Sequence, residues 1–289
     1  MLYAALRPGT VSWESRLVAV SGAGGAAELE FESGATARAR VAVGADGIWS
    51  AVRRAWGESQ GPAYSGVVVV LGFARHSASA ELGEHPALRD SNCVLELSDG
   101  RGTRLYAMPM EGAQYENGRS TMWQLSWRVD DEARARELGA KGPTDLHAAA
   151  ASRCAGWAAP AAELIAATRA EDVTGYPVYD RDVDDEASSG VVTLLGDALH
   201  PMAPFKAQGA NAALLDSVAL ARALYDSELG GERRVEGKAQ RRRSGKSVAD
   251  AVAEYERAAA RRGRRRVEAS RNATVEYHWG GGLAGGVAV

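Results

Sequence analysis

The sequence predicts a mixed α/β (α+β) fold in which an antiparallel sheet is inserted into an α/β domain and helices follow at the C-terminus. Three observations predict it. The β-branched run 191–195 is short and bounded by glycine, which is typical of a buried parallel strand. Residues 64–129 read as consecutive strands with no helical period between them. Apolar residues after Asn211 recur at helical spacing.

Composition indicates a globular protein. The chain has 289 residues, 46% of them hydrophobic and 25% charged, and no apolar run approaches the ~20 residues that span a membrane. Cys93 and Cys154 stand alone, so they indicate neither a zinc site nor a disulfide framework. We therefore expect a reducing, cytoplasmic compartment, with organelle targeting left open. The first ten residues show no secretory signal.

The first region predicts strands at 17–20, 28–31 and 39–43, separated by glycine-rich turns. The third strand runs into Asp46-Gly47, and a short helix is predicted to begin near Ser50. Residues 22–27 match G-x-G-x-x-A, the spacing of a dinucleotide-binding turn. The alternating residues 28–31 follow at once, so we interpret 22–27 as a hairpin turn.

The middle region predicts strands at 66–73, 92–97, 103–108 and 121–129, then helices at 145–154 and 161–167. Its aromatic residues Tyr106, Trp123 and Tyr176 could line a substrate wall, although aromatic residues on sheets usually form core. The predicted domains are 1–63 with 181–225, an inserted sheet domain at 64–180, and a C-terminal helical region with a glycine-rich tail at 226–289.

Residues 196–211 carry the strongest functional signal. Asp197 follows the predicted strand 191–195, and in open α/β sheets ligands bind at the carboxyl ends of strands. After a turn containing Pro204, the segment Gln208, Gly209, Ala210 and Asn211 opens a helix whose N–H groups would face the same crevice. A ligand with sugar hydroxyls and a polar ring would fit there.

Two features admit alternative interpretations. The stretch 233–271 is strongly basic, so it is either an arm for nucleic acid or an anionic membrane, or a solvated helix face. We favour the helix face and expect no nucleic acid partner, because no aromatic residues interleave with the arginines. His200 could be a general base, but a hydrogen-bonded structural role is favoured. No histidine shows metal-ligand spacing, so no metal site is predicted.

The chain resembles the FAD-dependent aromatic hydroxylases, the single-component flavoprotein monooxygenases of the salicylate-hydroxylase type. The stretch 44–53 is similar to the family pattern G-A-D-G-x-x-S-x-V-R, and 196–211 is similar to G-D-A-x-H-x-x-x-P-x-x-G-Q-G-A-N. The resemblance departs in two places. The family's opening G-x-G-x-x-G unit has no counterpart here, and Ala207 stands where glycine is usual, in a loop that prefers positive φ.

The resemblance implies an incomplete FAD-binding Rossmann-like domain and a monooxygenase that uses NAD(P)H, dioxygen and a small aromatic substrate. NADH and NADPH, the substrate and the oligomeric state stay open. The implied cofactor-binding residues are Asp46, Gly47, Arg53, Asp197, Pro204, Gln208, Gly209, Ala210 and Asn211. Asp197 is expected at the ribitol or ribose hydroxyls, Asp46 near the pyrophosphate with Arg53 as its partner, and Pro204 on the substrate side.

Two alternatives accompany this interpretation. One is a flavin-dependent oxidoreductase that inserts no oxygen. The other is an inactive remnant that acts as an interaction module through its basic C-terminal helix. Because the G-x-G-x-x-G unit is missing from this sequence, the isolated chain is expected to bind FAD weakly.

Overall fold

The structure is a computed structural model that describes residues 2–23, 25–55, 57, 61–76, 82, 85–89, 94–111, 119–183, 190–227, 233–235, 238–240 and 246–280. Cys93, Gly24, Arg241 to Arg243 and residues 281–286 of the predicted tail lie outside the described residues. No helix within the described ranges combines the length and the apolar character that crossing a membrane requires.

The strands are β1 (Leu17–Ala23), β2 (Ala26–Phe31), β3 (Thr36–Ala39), β4 (Ala42–Gly44), β5 (Ala63–Arg75), β6 (Leu95–Ser98), β7 (Thr103–Glu111), β8 (Arg119–Arg128), β9 (Thr174–Asp180), β10 (Val192–Leu194), β11 (Arg233–Val235) and β12 (Lys238–Gln240). The helices are α1 (Ala51–Ala55), α2 (Pro86–Arg89), α3 (Glu132–Gly139), α4 (Pro143–Arg153), α5 (Ala161–Ala166), α6 (Gly209–Asp226) and α7 (Val248–His278). The mixed α/β class predicted from the sequence is confirmed.

The chain divides into two compact units. The first comprises residues 1–62 and 180–268, and the second comprises 63–179 and 269–289. Helix α7 begins in the first unit and ends in the second. The assignment of the predicted domains to cofactor and to substrate stays a prediction.

The first unit contains two small sheets and a hairpin. Strands β1, β2 and β3 form an antiparallel meander, β4 pairs with β10 in parallel, and β11 pairs with β12. The predicted strand 39–43 is therefore two strands, because Ala39 pairs with Ala27 of the meander while Ala42 pairs with Val192. The predicted hairpin turn is confirmed, since Ala23 pairs with Ala26 and Gly25 has a φ of 75°.

Helix α6 shows the predicted helical period, but its apolar residues are only partly buried. Leu220 packs with Tyr255 and Ala259 of α7. Leu214 and Leu215 are instead 57% and 51% exposed. The apolar spacing in the sequence identified the helix without identifying which of its apolar residues enter the core.

The second unit is built on one five-stranded sheet, with the strand order β6-β7-β8-β5-β9. Neighbours β6/β7, β7/β8 and β5/β8 are antiparallel, as the sequence predicted for this region. Side chains of the sheet and of the helices that follow it make one apolar core, which includes Val68, Val70, Leu105, Trp123, Leu125, Leu146, Leu164 and Ile165.

Helices α4 and α5 confirm the predicted helices 145–154 and 161–167 within a few residues, whereas α3 was missed. Asp131 caps α3, because its Oδ1 accepts hydrogen bonds from the N–H groups of Ala133 and Arg134 at 2.8 and 3.3 Å. An N-cap aspartate followed by the i,i+4 pair Glu132 and Arg136 is the local signal that predicts this helix.

Candidate functional site

The site begins where two parallel strands end side by side. Gly44 of β4 is in register with Leu194 of β10, and the N–H of Leu195 donates to the carbonyl of Gly44 at 3.0 Å. A Cβ at Gly44 would lie 2.5 Å from Cδ2 of Leu194, so the close strand packing requires glycine. Asp46 and Asp197 follow these two strand ends, so the fold brings together loops about 150 residues apart in sequence.

Asp46 holds the start of α1. Its Oδ2 accepts hydrogen bonds from the backbone N–H groups of Ala51 at 2.6 Å and Val52 at 3.2 Å. Ser50 Oγ accepts from the N–H of Arg53 at 3.0 Å, which confirms the helix start predicted near Ser50. Gly47 occupies the intervening turn with a φ of 79°. The Asp46 carboxylate thus shapes the loop through backbone donors.

Arg53 ties this loop to the Asp197 loop. Its Nε donates to the carbonyl of Ala198 at 2.9 Å, and its Nη2 donates to the carbonyl of Leu199 at 3.1 Å. The residue is 8% exposed. The tertiary fold brings these two carbonyls within reach of the guanidinium, and the pairing of Arg53 with Asp46 that the sequence predicts stays a prediction.

Asp197 lies in the loop after β10 and is accessible to solvent. Partial desolvation raises the pKa of its carboxyl above the ordinary 3.8, and the opposing effect of nearby His200 does not cancel it. A Cβ built on Gly209 would lie 3.7 Å from Asp197 Oδ1, which places the first residue of α6 beside the carboxylate. The loop after β10 and the start of α6 therefore lie side by side.

The turn before α6 is strained at one residue. Pro204–Lys206 forms a single 3₁₀ turn with Phe205 buried, and Ala207 then adopts the left-handed conformation with a φ of 50°. Gln208 precedes α6 without a side-chain cap, so no described side chain satisfies the N–H groups of Gly209, Ala210 and Asn211. These donors carry the positive end of an 18-residue helix.

A buried polar network supports the same loop, and sequence reasoning missed it. Asp216 of α6 is fully buried, and its Oδ2 accepts from His200 Nε2 at 2.5 Å and from the N–H of Gly196 at 3.3 Å. Its Oδ1 accepts from Arg262 Nη2 at 3.0 Å. Burial alone would raise the pKa of Asp216, but the hydrogen bonds from His200 and Arg262 outweigh burial and lower it.

His200 is a packed structural residue. It is 0% exposed, and a Cβ at Gly263 of α7 would lie 2.7 Å from its ring carbon Cδ2. The structural role favoured from the sequence therefore fits the structure, and a general base open to substrate does not. No local pattern around Gly263 indicates this contact, because the contact depends on how α7 packs against the loop.

The aromatic candidates for a substrate wall have different environments. Trp123 is 0% exposed and its Nε1 donates to Thr168 Oγ1 at 2.8 Å, so it forms core and lines no open surface. Tyr106 is half-buried, and Tyr176 is 41% exposed.

Cys154 is buried, and burial raises the pKa of its thiol to about 12. The described residues contain no cluster suited to a metal ion.

Comparison with known proteins identifies the family. A family model described as FAD binding domain matches residues 3–255. The 3-amino-4-hydroxybenzoate 2-monooxygenase of Streptomyces cremeus is 34% identical over 196 residues, covering 68% of this chain and 43% of that protein. The 6-hydroxynicotinate 3-monooxygenase of Bordetella bronchiseptica is 29% identical over 227 residues, covering 77% of this chain and 54% of that protein.

The fold comparison agrees. The structure of 2,6-dihydroxypyridine-3-hydroxylase from Arthrobacter nicotinovorans matches with a TM-score of 0.81 and 18% identity, covering 100% of this chain and 72% of that one. The chain spans about half the length of the curated relatives that it matches. The chain belongs to the FAD-binding-domain family, and its curated relatives are aromatic-ring monooxygenases.

Proposed function

We propose that this chain is part of an FAD-dependent monooxygenase that hydroxylates a small aromatic ring with NAD(P)H and dioxygen. One observation carries the proposal: the Asp197 carboxylate and the uncapped N-terminus of α6 lie side by side, beyond the ends of β4 and β10. A carboxylate accepts hydrogen bonds from sugar hydroxyls, and free N–H groups donate to a polar ring.

The residues present fit FAD. Asp197 would accept from the ribitol or ribose hydroxyls, and the N–H groups of Gly209, Ala210 and Asn211 would donate to the pyrimidine edge of the flavin. Bound FAD would supply the hydride acceptance and oxygen activation of the reaction. The helix N-terminus favours negative charge at that edge by up to about 2 kcal/mol in a partly buried geometry.

The remaining predicted residues would shape the site. Asp46 and Gly47 hold the loop after β4 through the α1 backbone, and Arg53 fixes that loop to the carbonyls of the Asp197 loop. Gln208 lies at the N-cap position of α6 and Pro204 opens the preceding turn, on the side proposed for substrate. A packed turn there would keep water from the reacting atoms.

A binding experiment tests the cofactor assignment. FAD is titrated into the chain with flavin fluorescence as the signal, and the Asp197→Asn variant is expected to bind at least about tenfold more weakly, because the amide replaces a charged acceptor. Asp226→Asn, at the exposed far end of α6, is the matched control and should bind like the unmodified chain. Equal FAD affinity in both variants would contradict the role of Asp197.

A second experiment tests the reaction. The protein is supplied with FAD, NAD(P)H and ¹⁸O₂, and a panel of hydroxylated benzoates and pyridine carboxylates is screened. The relatives named for 3-amino-4-hydroxybenzoate and 6-hydroxynicotinate motivate this panel. Labelled oxygen in a ring hydroxyl of the product supports the proposal. Oxidised product without label would indicate an oxidoreductase that inserts no oxygen.

A further inference from the structure

The basic stretch noted in the sequence includes a row of arginines that surround a cavity on helix α7. The cavity has a volume of about 380 Å³ and is lined by Ala258, Arg261, Arg262, Arg265 and Arg266. Residues at i, i+3, i+4, i+7 and i+8 share one face of a helix, so four guanidinium groups converge on this volume. All of these residues belong to the first unit.

Two of the guanidinium groups have buried donor atoms that no described group satisfies. Arg262 Nε and Arg266 Nη1 are buried and have no hydrogen-bond partner in the described structure. Arg262 is held in place from behind, because its Nη2 donates to the buried carboxylate of Asp216 at 3.0 Å. A buried donor without an acceptor costs free energy of desolvation. A ligand that supplies an acceptor to these N–H groups would recover that cost.

Acidic side chains are absent from the described lining of the cavity, and two on the same helix bind other groups. No carboxylate occurs among the described lining residues. On the same helix, Glu254 pairs with Lys246, and Asp250 accepts from the hydroxyl of Ser247 at 2.7 Å. Asp216 pairs with Arg262, and Arg261, Arg265 and Arg266 add three further positive charges, so the cavity is cationic and an anion entering it would meet no carboxylate of the described lining.

We propose that this cavity, the arginine pocket, binds the phosphate groups of a nucleotide-sized small molecule. Guanidinium groups match the geometry of phosphate oxygens and donate to them in pairs. The volume lies within the range of small-molecule sites and exceeds what one phosphate fills. The described lining residues include no aromatic side chain on which a nucleic acid base could stack, which favours a small molecule over single-stranded nucleic acid.

The test measures binding to the whole chain by titration calorimetry at low salt, with inorganic pyrophosphate, ADP, NADH and NADPH as separate probes. Arg265→Gln and Arg266→Gln are each expected to weaken binding of the preferred probe by roughly tenfold or more. Arg257→Gln removes the same charge from an exposed position of α7 outside the lining and should change affinity less than twofold. Added salt should weaken binding by the unmodified chain.

The four probes separate the sources of the phosphate. Pyrophosphate binding as tightly as ADP supports a site that recognises phosphate alone, and tighter binding of ADP supports a nucleotide site. Tighter binding of NADPH than NADH supports recognition of the additional phosphate of NADPH. Arg261 and Arg265 are exposed, so Arg261→Gln with Arg265→Gln keeps the test valid where Arg266→Gln does not fold.

Three results would overturn the proposal. One is equal affinity of all the arginine variants and the unmodified chain for every probe. Another is loss of ADP binding in Asp197→Asn with full binding in the arginine variants, which would place the nucleotide beside Asp197 and the start of α6. The third is arginine-dependent binding of single-stranded DNA without binding of any of the four probes. None of the four probes is FAD, so failure of this proposal would not contradict the proposed role of the Asp197 loop in binding FAD.

Discussion

The interiors of the two units differ, because the second has one large apolar core whereas the first combines smaller apolar clusters with a buried polar network. In the second unit, apolar side chains such as Trp123 and Leu125 fill one continuous core. In the first unit, the centre beside the candidate site is polar, with the carboxylate of Asp216 receiving His200, Arg262 and the Gly196 backbone. A large apolar core tolerates the replacement of one apolar side chain by another of similar size. A buried ionic network loses several interactions at once when one member is removed.

The largest expected effect comes from removing the centre of that network. Asp216→Ala leaves His200, Arg262 and the Gly196 N–H without their acceptor, and we expect a loss of about 3–5 kcal/mol in the free energy of unfolding. Urea denaturation measures it. Asp226→Asn, at the exposed end of the same helix, should stay within about 0.5 kcal/mol. A loss below about 1 kcal/mol for Asp216→Ala would show that the network is dispensable.

The corresponding change in the apolar core should cost less. Trp123→Phe removes part of a fully buried ring and its hydrogen bond to Thr168, so we expect a loss of about 2–3 kcal/mol. Thr168 keeps a partner, since its hydroxyl also donates to the carbonyl of Leu164 at 2.7 Å. Trp13→Phe is the control, because Trp13 is 72% exposed. A larger loss in the free energy of unfolding for Trp123→Phe than for Asp216→Ala would show that the polar network is less sensitive to substitution than the apolar core.

His278 is a buried titratable group in the second unit. Desolvation lowers its pKa to about 4, and the charges of Arg104 and Arg128 act in the same direction. Its Nδ1 contacts the carbonyl of Thr274 at 2.9 Å and its Nε2 contacts Ser126 Oγ at 3.0 Å. Above pH 6.5 the imidazole is neutral in both the folded and the unfolded chain.

Between pH 6.5 and 4 the unfolded chain binds the proton and the folded chain does not, so stability is lost as the pH falls through this window. We expect His278 to contribute about 2 kcal/mol of this loss between pH 7 and 5. Denaturation of the unmodified chain and of His278→Gln at both pH values measures the difference. His85→Gln is the control, and equal pH dependence in all three proteins would refute the role of His278.

The smallest expected effect concerns the turn before α6. Ala207 has a φ of 50°, which glycine adopts without strain, so Ala207→Gly should stabilise the chain by about 0.5–1 kcal/mol. Ala210→Gly, three residues later inside α6, should instead destabilise it by a similar amount. Thermal unfolding of both variants tests the pair, and a destabilised Ala207→Gly would show that the turn is unstrained.

Local patterns predicted the elements of both units well. The alternating strands of the middle region, the parallel strand 191–195, the hairpin at 22–27 and the helix start near Ser50 all follow from spacing, turn chemistry and capping, which act over a few residues. The helix at 132–139 carried the same kind of signal in Asp131 and was overlooked. Residues 39–43 were predicted as one strand, because the sequence of a strand does not show which other strands it pairs with.

The candidate site was predicted as a set of residues, and its internal contacts were not. Motif spacing predicted that Asp46, Asp197 and the start of α6 lie near one another, because parallel strands end at a common edge. The partners of Arg53, the burial of His200 against Gly263 and the link from Asp216 to Arg262 join residues up to 146 positions apart. Local preference carries no information on such pairs, since side chains of this kind satisfy their hydrogen bonds with whichever groups the packed chain places beside them.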